Sequence, residues 1–452
     1  MLRPMLKTTT ATTYLLLLLL PALFSPTAGH AKTNFVVLLV DDAGLMDFGG
    51  YGGEASTPYI DRLADAGVRF SNYHTSPLCS PSRAMLLTGM DNHRVGIGTI
   101  PEALHENQVG SPAYALRFSP DVQTIASRLQ AAGYATFMTG KWHLGSGAGD
   151  LPDAHGFDRS FALDASGADN WEQKSFLPFY DQAPWFEDGQ PARLPDDFYS
   201  SRFIVEKMIE YLAGRDKSRP FLSYLAFQAI HIPVQAPPEF TDNYRGVYAA
   251  GWDELRRQRI STARALGLLP ANAPPPQPHP SLRAWQDLSA EERQHFEHSM
   301  MVNAGMLEAM DHHIGRLLAY LESEQVLADT VFIVTSDNGP EFGDPTASAA
   351  FRLWMAFNGY HTDPARAGEL GYMGAIGAEW ASAAAAPGSL FKMYASQGGT
   401  RVPLIISGPG VRPRNGFQPA LTFVTDLAPT IADMAGLETA AEMDGRSLVP
   451  VL

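Results

Sequence analysis

Basic residues are scarce in this sequence. Its 452 residues include 33 Lys and Arg against 48 Asp and Glu, which gives a formal net charge of −15 at pH 7. Nucleic-acid-binding proteins carry a basic footprint, so this balance argues against nucleic acid as a partner. The chain is nevertheless 45% apolar and can build a sizeable core.

Long apolar runs are also missing, apart from one near the start. Residues 1–31 combine an early Arg3 and Lys7, an apolar stretch over residues 14–20 and small residues up to Ala31, which is the pattern of an export signal. The stretch is too short and too poorly flanked for a stable membrane span. We predict cleavage near Ala31, a mature chain over residues 32–452 and a periplasmic or secreted location.

Cysteine is nearly absent, since Cys79 is the only one. An internal disulfide is therefore excluded. A lone thiol in an oxidising compartment is a liability unless it is used or chemically converted. The alternative is a buried structural cysteine, which is the common state of a free thiol.

The residues around Cys79 predict a helix. Pro81 suits a first helical turn, residues 84–87 are apolar, and Gly89 is a typical residue just past a helix end. A helix start favours anions, and Arg83 adds a charged fork that matches a tetrahedral oxyanion. The local pattern indicates a reactive centre at an anion-binding helix start.

Four short apolar runs predict strands, and each ends in polar residues. The runs and the polar residues that follow them are 35–40 with Asp41 and Asp42, 133–139 with Lys141 and His143, 221–227 with His231, and 331–335 with Asp337 and Asn338. Helical patterns over 60–66, 122–132 and 303–322 alternate with these strands, and further on 402–406 predicts another strand and 424–435 another helix. Alternation predicts an α/β fold with a mostly parallel sheet, which binds ligands beyond the carboxyl ends of its strands. Taken singly, the polar residues after each strand would indicate an ordinary turn. Taken together, they are predicted to converge on one edge of the sheet.

These residues fit one chemistry. Asp41, Asp42, Asp337 and Asn338 offer only oxygen ligands, which favour Ca²⁺, with Mg²⁺ or Mn²⁺ as alternatives, over zinc. Three cations could neutralise a sulfate or phosphate ester, namely Arg83, Lys141 and Lys392, although Lys392 taken alone would be an ordinary surface lysine. His143 and His231 are candidates for proton transfer.

The motifs resemble those of type I sulfatases over roughly residues 33–450. The first signature is Cys79-Ser80-Pro81-Ser82-Arg83 with Leu87-Thr88-Gly89, and the second runs from Gly133-Tyr134-Ala135-Thr136 to Gly140-Lys141-Trp142-His143-Leu144-Gly145. Ser336-Asp337-Asn338-Gly339 and His231-Ile232-Pro233 match later segments, and 378–403 resembles the bacterial arylsulfatase branch. Gln397 is a departure, because the family usually has Glu before this Gly-Gly pair.

The resemblance implies an alkaline-phosphatase-like sandwich with a central mostly parallel sheet flanked by helices. It also implies that a formylglycine-generating enzyme converts Cys79 to formylglycine, and that residue 79 joins Asp41, Asp42, Asp337 and Asn338 as a ligand of the cation. One hydroxyl of the formylglycine hydrate attacks sulfur with help from the metal and Asp337, His231 protonates the leaving alcohol, and His143 helps to release the sulfate.

Two further expectations concern organisation. The Pro-rich segment 234–285 and the Gly/Ala-rich segment 340–390 are predicted as long surface insertions that wall the substrate pocket. Residues 443–452 resemble the segment that precedes the smaller C-terminal domain of sulfatases, so we expect that domain to be missing or incomplete.

The predicted function is therefore hydrolysis of sulfate esters by a sulfuric ester hydrolase of the arylsulfatase type, with small-molecule or sugar sulfates as substrates. A phosphonate monoester or phosphodiester hydrolase could use the same residues. A third reading is a non-catalytic anion- or glycan-binding protein with an unmodified Cys79.

Overall fold

The computed structural model describes Met1 and residues 33–147, 149–274 and 276–452. The export signal predicted over residues 1–31 lies outside this description, apart from Met1. Among the described helices, none combines the length and the apolar character that crossing a membrane requires.

The strands of the described residues form one large sheet and one small sheet. The strands are β1 (Asn34–Val40), β2 (Gly67–Phe70), β3 (Tyr73–His74), β4 (Ala135–Lys141), β5 (Arg159–Leu163), β6 (Trp185–Glu187), β7 (Gln190–Pro191), β8 (Phe221–Ala226), β9 (Thr330–Ser336), β10 (Leu404–Ser407), β11 (Phe417–Gln418) and β12 (Thr422–Phe423). The large sheet has the order β11-β2-β10-β9-β1-β8-β4-β5-β6-β7, and β12 pairs with β3. Its centre, from β9 to β5, is entirely parallel, whereas β10, β6 and β7 add antiparallel pairs.

Helices cover both faces of the large sheet. They are α1 (Pro58–Asp65), α2 (Cys79–Thr88), α3 (Ile125–Ala131), α4 (Ser200–Gly214), α5 (Pro238–Thr241), α6 (Gly251–Ala265), α7 (Ala290–Ser323), α8 (Ala349–Phe357), α9 (Gly377–Ala384), α10 (Gln397–Thr400) and α11 (Leu427–Met434). One core includes apolar residues of α1, α4 and α7, and the other includes those of α2, α3 and α11. The expected α/β architecture, a mostly parallel central sheet flanked by helices, is confirmed.

The central strand β1 shows why its sequence lacks a polar face. Phe35, Val37 and Leu39 pack into one core, and Val36 and Leu38 pack into the other, with all of them nearly inaccessible to solvent. Each such side chain contributes about 1.5–3 kcal/mol of burial free energy. A strand covered on both sides must be apolar throughout, so its first polar residues mark the point where it leaves the core.

Two predicted helices differ in length from those observed. The helix predicted over 303–322 begins at Ala290, because Ser289 and Glu292 form a reciprocal capping box at its start. The helix predicted over 122–132 begins only at Ile125, where the Thr124 side chain accepts a hydrogen bond from the Ser127 backbone.

The segments 234–285 and 340–390 are not simply surface insertions, which corrects that part of the prediction. Trp252, Trp285 and Trp380 are buried and pack edge to face or tilted against one another, with ring centroids 4.7–5.7 Å apart. Both segments therefore contribute large side chains to the core. Their aromatic residues carry more burial energy than their Pro, Gly and Ala content suggests.

Candidate active site

The predicted polar residues converge at the carboxyl ends of the parallel strands. Asp41 and Asp42 follow β1, His231 follows β8, and Asp337 and Asn338 follow β9. Lys141 is the last residue of β4 rather than part of the turn after it, and His143 follows it. Neighbouring parallel strands end on the same edge of a sheet, so residues that are far apart in sequence meet here.

Carboxylates crowd the centre of the site. Ligand atoms of Asp41, Asp337 and Cys79 all lie within 4.8 Å of one another, and all three residues are buried. Asp42 adopts a left-handed backbone conformation with φ of 67°, and its Oδ1 accepts a 2.6 Å hydrogen bond from Asn338 Nδ2. Burial raises the pKa of Asp337, nearby Asp41 raises it further, and Arg83 opposes the rise.

Two buried oxygens in this group have no hydrogen-bond partner among the described residues. They are Asp41 Oδ1 and Asn338 Oδ1. An unpaired buried acceptor costs about 1–3 kcal/mol, so native proteins rarely keep one without a ligand or an ion. A hard divalent cation is the ligand that these oxygens fit, and the crowding of the carboxylates adds to its attraction. The oxygen donors predicted from the sequence therefore fit a cation here.

Arg83 and Lys141 are fully buried beside these carboxylates. Arg83 donates from Nε and Nη2 to Asp337 Oδ2 at 2.9 and 2.7 Å, and from Nη1 to the Lys141 carbonyl at 2.7 Å. Lys141 Nζ lies 2.6 Å from Asp41 Oδ2. Burial alone would lower the pKa of Lys141, but the combined attraction of Asp41, Cys79 and Asp337 raises it. Both groups therefore remain cationic at the base of the site.

Lys392 lies in the same cluster, with a partner that the sequence analysis missed. Its Nζ is 2.8 Å from Asp42 Oδ1 and 2.8 Å from Glu341 Oε2. Burial alone would raise the pKa of Glu341, but the attraction of Lys392 and His231, together with hydrogen bonds from Lys392 and the Gly343 backbone, lowers it to about 2. Glu341 stands three residues after Asn338 on the loop that leaves β9, and that position was the one available signal for it.

Cys79 begins α2, as its sequence predicted. The helix ends at Gly89, whose φ of 70° is the left-handed conformation typical of a helix C-terminus. Burial raises the pKa of the Cys79 thiol to about 12, although Lys141 and Lys392 pull it down. At neutral pH the residue is therefore a protonated thiol, which is a weak nucleophile.

Two histidines flank the centre. Both ring nitrogens of His143 are buried without a hydrogen-bond partner among the described residues, and its Nε2 is 4.0 Å from Glu102 Oε2. His231 Nδ1 donates to the Ile232 carbonyl at 2.6 Å, which leaves Nε2 facing Asp42 Oδ2 at 3.8 Å. Burial and the nearby lysines hold the pKa of both histidines well below the usual value.

A cavity of about 260 Å³ opens beside His143. Its wall includes Ser80, which is next to Cys79 in the sequence. The Ser80 hydroxyl donates to the His143 carbonyl at 2.7 Å. Tyr180 and Arg117 line it further out. The space is large enough for a ring-sized group.

Comparison with known proteins gives a consistent family assignment. The family model described as Sulfatase matches residues 33–437. An uncharacterised sulfatase of Schizosaccharomyces pombe is 35% identical over 94% of this chain and 79% of its own length. The arylsulfatase of Klebsiella aerogenes is 33% identical over 94% of this chain and 91% of its own length.

Solved structures agree on the fold. A protein crystallised with k-i-k-neocarrahexaose has a TM-score of 0.63 at 22% identity, covering 93% of this chain and 76% of that one. A sulfatase from Pseudoalteromonas has a TM-score of 0.58 at 23% identity, covering 93% and 72%. At these identities the likeness establishes architecture alone.

Proposed function

As a member of the type I sulfatases of the alkaline phosphatase superfamily, the chain is a sulfuric ester hydrolase, and we propose that it is of the arylsulfatase type. The observation that carries the proposal is the meeting of Cys79, three buried cations and a set of oxygen donors with unpaired atoms. The full-length likeness to the Klebsiella arylsulfatase supports the aryl preference.

In this proposal Asp41, Asp42, Asp337 and Asn338 hold a divalent cation, with Ca²⁺ as the best match. The donors are all oxygens, and two of them, Asp41 Oδ1 and Asn338 Oδ1, have no hydrogen-bond partner in the part of the chain that the structure describes. Calcium tolerates irregular cages of protein oxygens, whereas Mg²⁺ prefers to keep several waters. When bound, the cation supplies Lewis acidity next to residue 79.

Cys79 is the proposed source of the nucleophile, after conversion to formylglycine by a generating enzyme. The protonated thiol of the unmodified residue is poorly suited to attack, because its pKa is raised to about 12. A hydrated aldehyde supplies one hydroxyl to attack sulfur and a second through which the sulfate can leave.

The cations have a positioning task. Arg83, Lys141 and Lys392 lie around the site with charged groups that suit the oxygens of a sulfate. Because these groups are already desolvated and fixed by carboxylates, little reorganisation is needed when the ester binds. They therefore orient the sulfur for in-line attack.

The histidines have complementary proton tasks. His231 presents Nε2 to the site, because its Nδ1 is committed to a backbone carbonyl. The negative charge of a bound ester would offset the lysines that depress its pKa, so that Nε2 could carry a proton to the leaving oxygen. His143, which is neutral and has no hydrogen-bond partner within the described ranges, would accept the proton that is lost when the sulfate is released.

The test is a comparison of kcat/KM on sulfate, phosphate and phosphonate esters of the same phenol, using protein isolated from the compartment where it is matured. We expect the sulfate ester to be preferred. A preference for phosphonate monoesters or phosphodiesters would assign the chain to the alternative hydrolase. No turnover of any ester, with retained anion binding, would indicate the non-catalytic binding protein.

We further propose that residues 1–31 direct export and that residues 32–452 form the catalytic unit. Edman sequencing of the mature protein tests this proposal, with a start at Lys32 as the expected result. A mature protein that still begins at Met1 would contradict it.

A further inference from the structure

The buried ammonium of Lys392 is held from two sides. Its Nζ lies 2.8 Å from Oδ1 and 3.1 Å from Oδ2 of Asp42, and 2.8 Å from Glu341 Oε2. The Lys392 and Asp42 side chains are almost inaccessible to solvent, and that of Glu341 is 14% exposed. The position of the ammonium is therefore set by two carboxylates in a largely desolvated place, where such pairs are strong.

The two carboxylates differ in their other duties. Asp42 accepts a hydrogen bond from Asn338 and belongs to the proposed cation site. Glu341 is fixed by the Gly343 backbone, which donates to its Oε1 at 2.7 Å. A bound divalent cation and the Lys392 ammonium would both attract the oxygens of Asp42, whereas Glu341 interacts with the ammonium independently of that cation.

Lys392 also occupies what would otherwise be a second acidic cluster. Ligand atoms of Asp42, His231 and Glu341 lie within 4.8 Å of one another. The Lys392 ammonium is close to both carboxylates of this group and offsets part of their negative charge. The cluster is therefore filled by a side chain, and its geometry serves to hold that side chain.

We propose that Glu341 is a positioning residue that holds the Lys392 ammonium for the sulfate group and limits its competition with the bound cation for Asp42. The inference rests on the proposed function. It predicts that loss of the Glu341 charge lets the ammonium shift fully onto Asp42, which weakens cation binding although Glu341 is not a cation ligand.

The experiment is calorimetric titration of Ca²⁺ into chelator-stripped full-length protein in four forms: wild type, Glu341→Gln, Lys392→Met and the double variant. We expect Glu341→Gln to weaken Ca²⁺ binding by about tenfold, the lower end of the effect of outer-shell partners. Lys392→Met should bind Ca²⁺ more tightly than wild type. In the Lys392→Met background, Glu341→Gln should have much less effect, because the competing ammonium is gone.

The outcomes separate the two levels of the proposal. Equal loss of affinity from Glu341→Gln in both backgrounds would show that Glu341 acts on the cation by its charge alone, and would overturn the positioning role. Unchanged affinity in Glu341→Gln would overturn it as well. Failure of the wild type to bind any divalent cation would overturn the proposed function and this inference together. Circular dichroism and the Tm of each variant confirm that the comparison is made on folded protein.

Discussion

Among the buried charges of the described residues, the cluster around Arg259 and the cluster at the strand ends differ in whether their polar atoms are paired. In the first, all three guanidinium nitrogens of Arg259 are used: Nε and Nη2 donate to the two oxygens of Glu54, and Nη1 donates to Asp47 and to the Ala384 carbonyl. The remaining oxygen of Asp47 accepts from the Gly44 backbone. This cluster is complete without any ligand.

The cluster at the strand ends is at least as deeply buried and yet incomplete. Asp41 Oδ1, Asn338 Oδ1 and both ring nitrogens of His143 have no partner among the described residues. Burial of charge therefore does not distinguish a site from a structural ion pair in this protein. Between these two clusters the unpaired atoms make the distinction, because they are what a cation and a substrate can bind.

The largest expected effect comes from removing the nucleophile. Cys79→Ala should lower kcat by at least about 10⁴-fold, as loss of a covalent nucleophile does, while cation binding and the fold remain. Initial rates on an aryl sulfate and Ca²⁺ calorimetry measure the two properties. Ser82→Ala, on the same helix, removes a buried hydroxyl that donates only to the Ser76 carbonyl in the described contacts, and it is the matched control. Near-normal turnover of Cys79→Ala would contradict the account.

Substitution in the Arg259 cluster should have the opposite effect, which is a loss of stability with little loss of activity. Arg259→Met leaves the buried Asp47 and the partly buried Glu54 without their cation, which should reduce the free energy of unfolding by about 3 kcal/mol. The folded fraction should keep most of its kcat/KM, because the cluster holds no unpaired atom for a ligand. Urea unfolding and folded-fraction activity test this, and a variant that is stable but inactive would erase the distinction between the clusters.

Removing the cation should affect the incomplete cluster alone. Chelation should lower the Tm and abolish turnover, and Ca²⁺ at 100 times its Kd should restore about 2.7 kcal/mol by mass action. Thermal unfolding with and without Ca²⁺ measures this shift. Arg259→Met should show the same shift as the wild type. If the wild-type Tm does not change with Ca²⁺, the unpaired oxygens do not form a cation site.

The smallest expected effect concerns the departure at Gln397. Its Oε1 accepts a hydrogen bond from Arg401 Nη1 at 3.2 Å, and burial lowers the pKa of this arginine. Gln397→Glu would add a charged partner and should stabilise the fold by about 0.5 kcal/mol, in the range of partly exposed pairs. Urea unfolding measures the change, with Gln397→Ala as the destabilising counterpart. A destabilised Gln397→Glu would mean that the neutral side chain is required there.

The placement of the polar residues at the strand ends could be predicted because the strands before them are largely apolar on both faces. In the doubly buried strand β1 every residue from Phe35 to Val40 is apolar, so Asp41 and Asp42 stand out in the sequence. Parallel pairing then brings them beside Asp337, which follows the equally buried strand β9. The helix at Cys79 was equally readable from its Pro and Gly signals.

The remaining features depend on contacts that the sequence pattern does not carry. Glu341 lies in an irregular loop after a Gly-Pro pair and resembles any exposed turn residue until Lys392 is placed beside it. Arg259 belongs to α6, within the segment 234–285 that the sequence predicts as a surface insertion. Only the tertiary fold buries it against Asp47. Ion pairs and hydrogen bonds between residues that are hundreds of positions apart have no local sequence signature. The sequence therefore could not show which of the two clusters has unpaired polar atoms.

The most direct test of the central claim is an intact-peptide mass of the fragment that contains Cys79, from protein purified out of its native compartment. Conversion of the thiol side chain to an aldehyde lowers the mass by about 18 Da, and the covalent mechanism proposed here requires that conversion. We predict the lighter peptide in active protein. An unmodified thiol in a preparation that turns over sulfate esters would contradict the account.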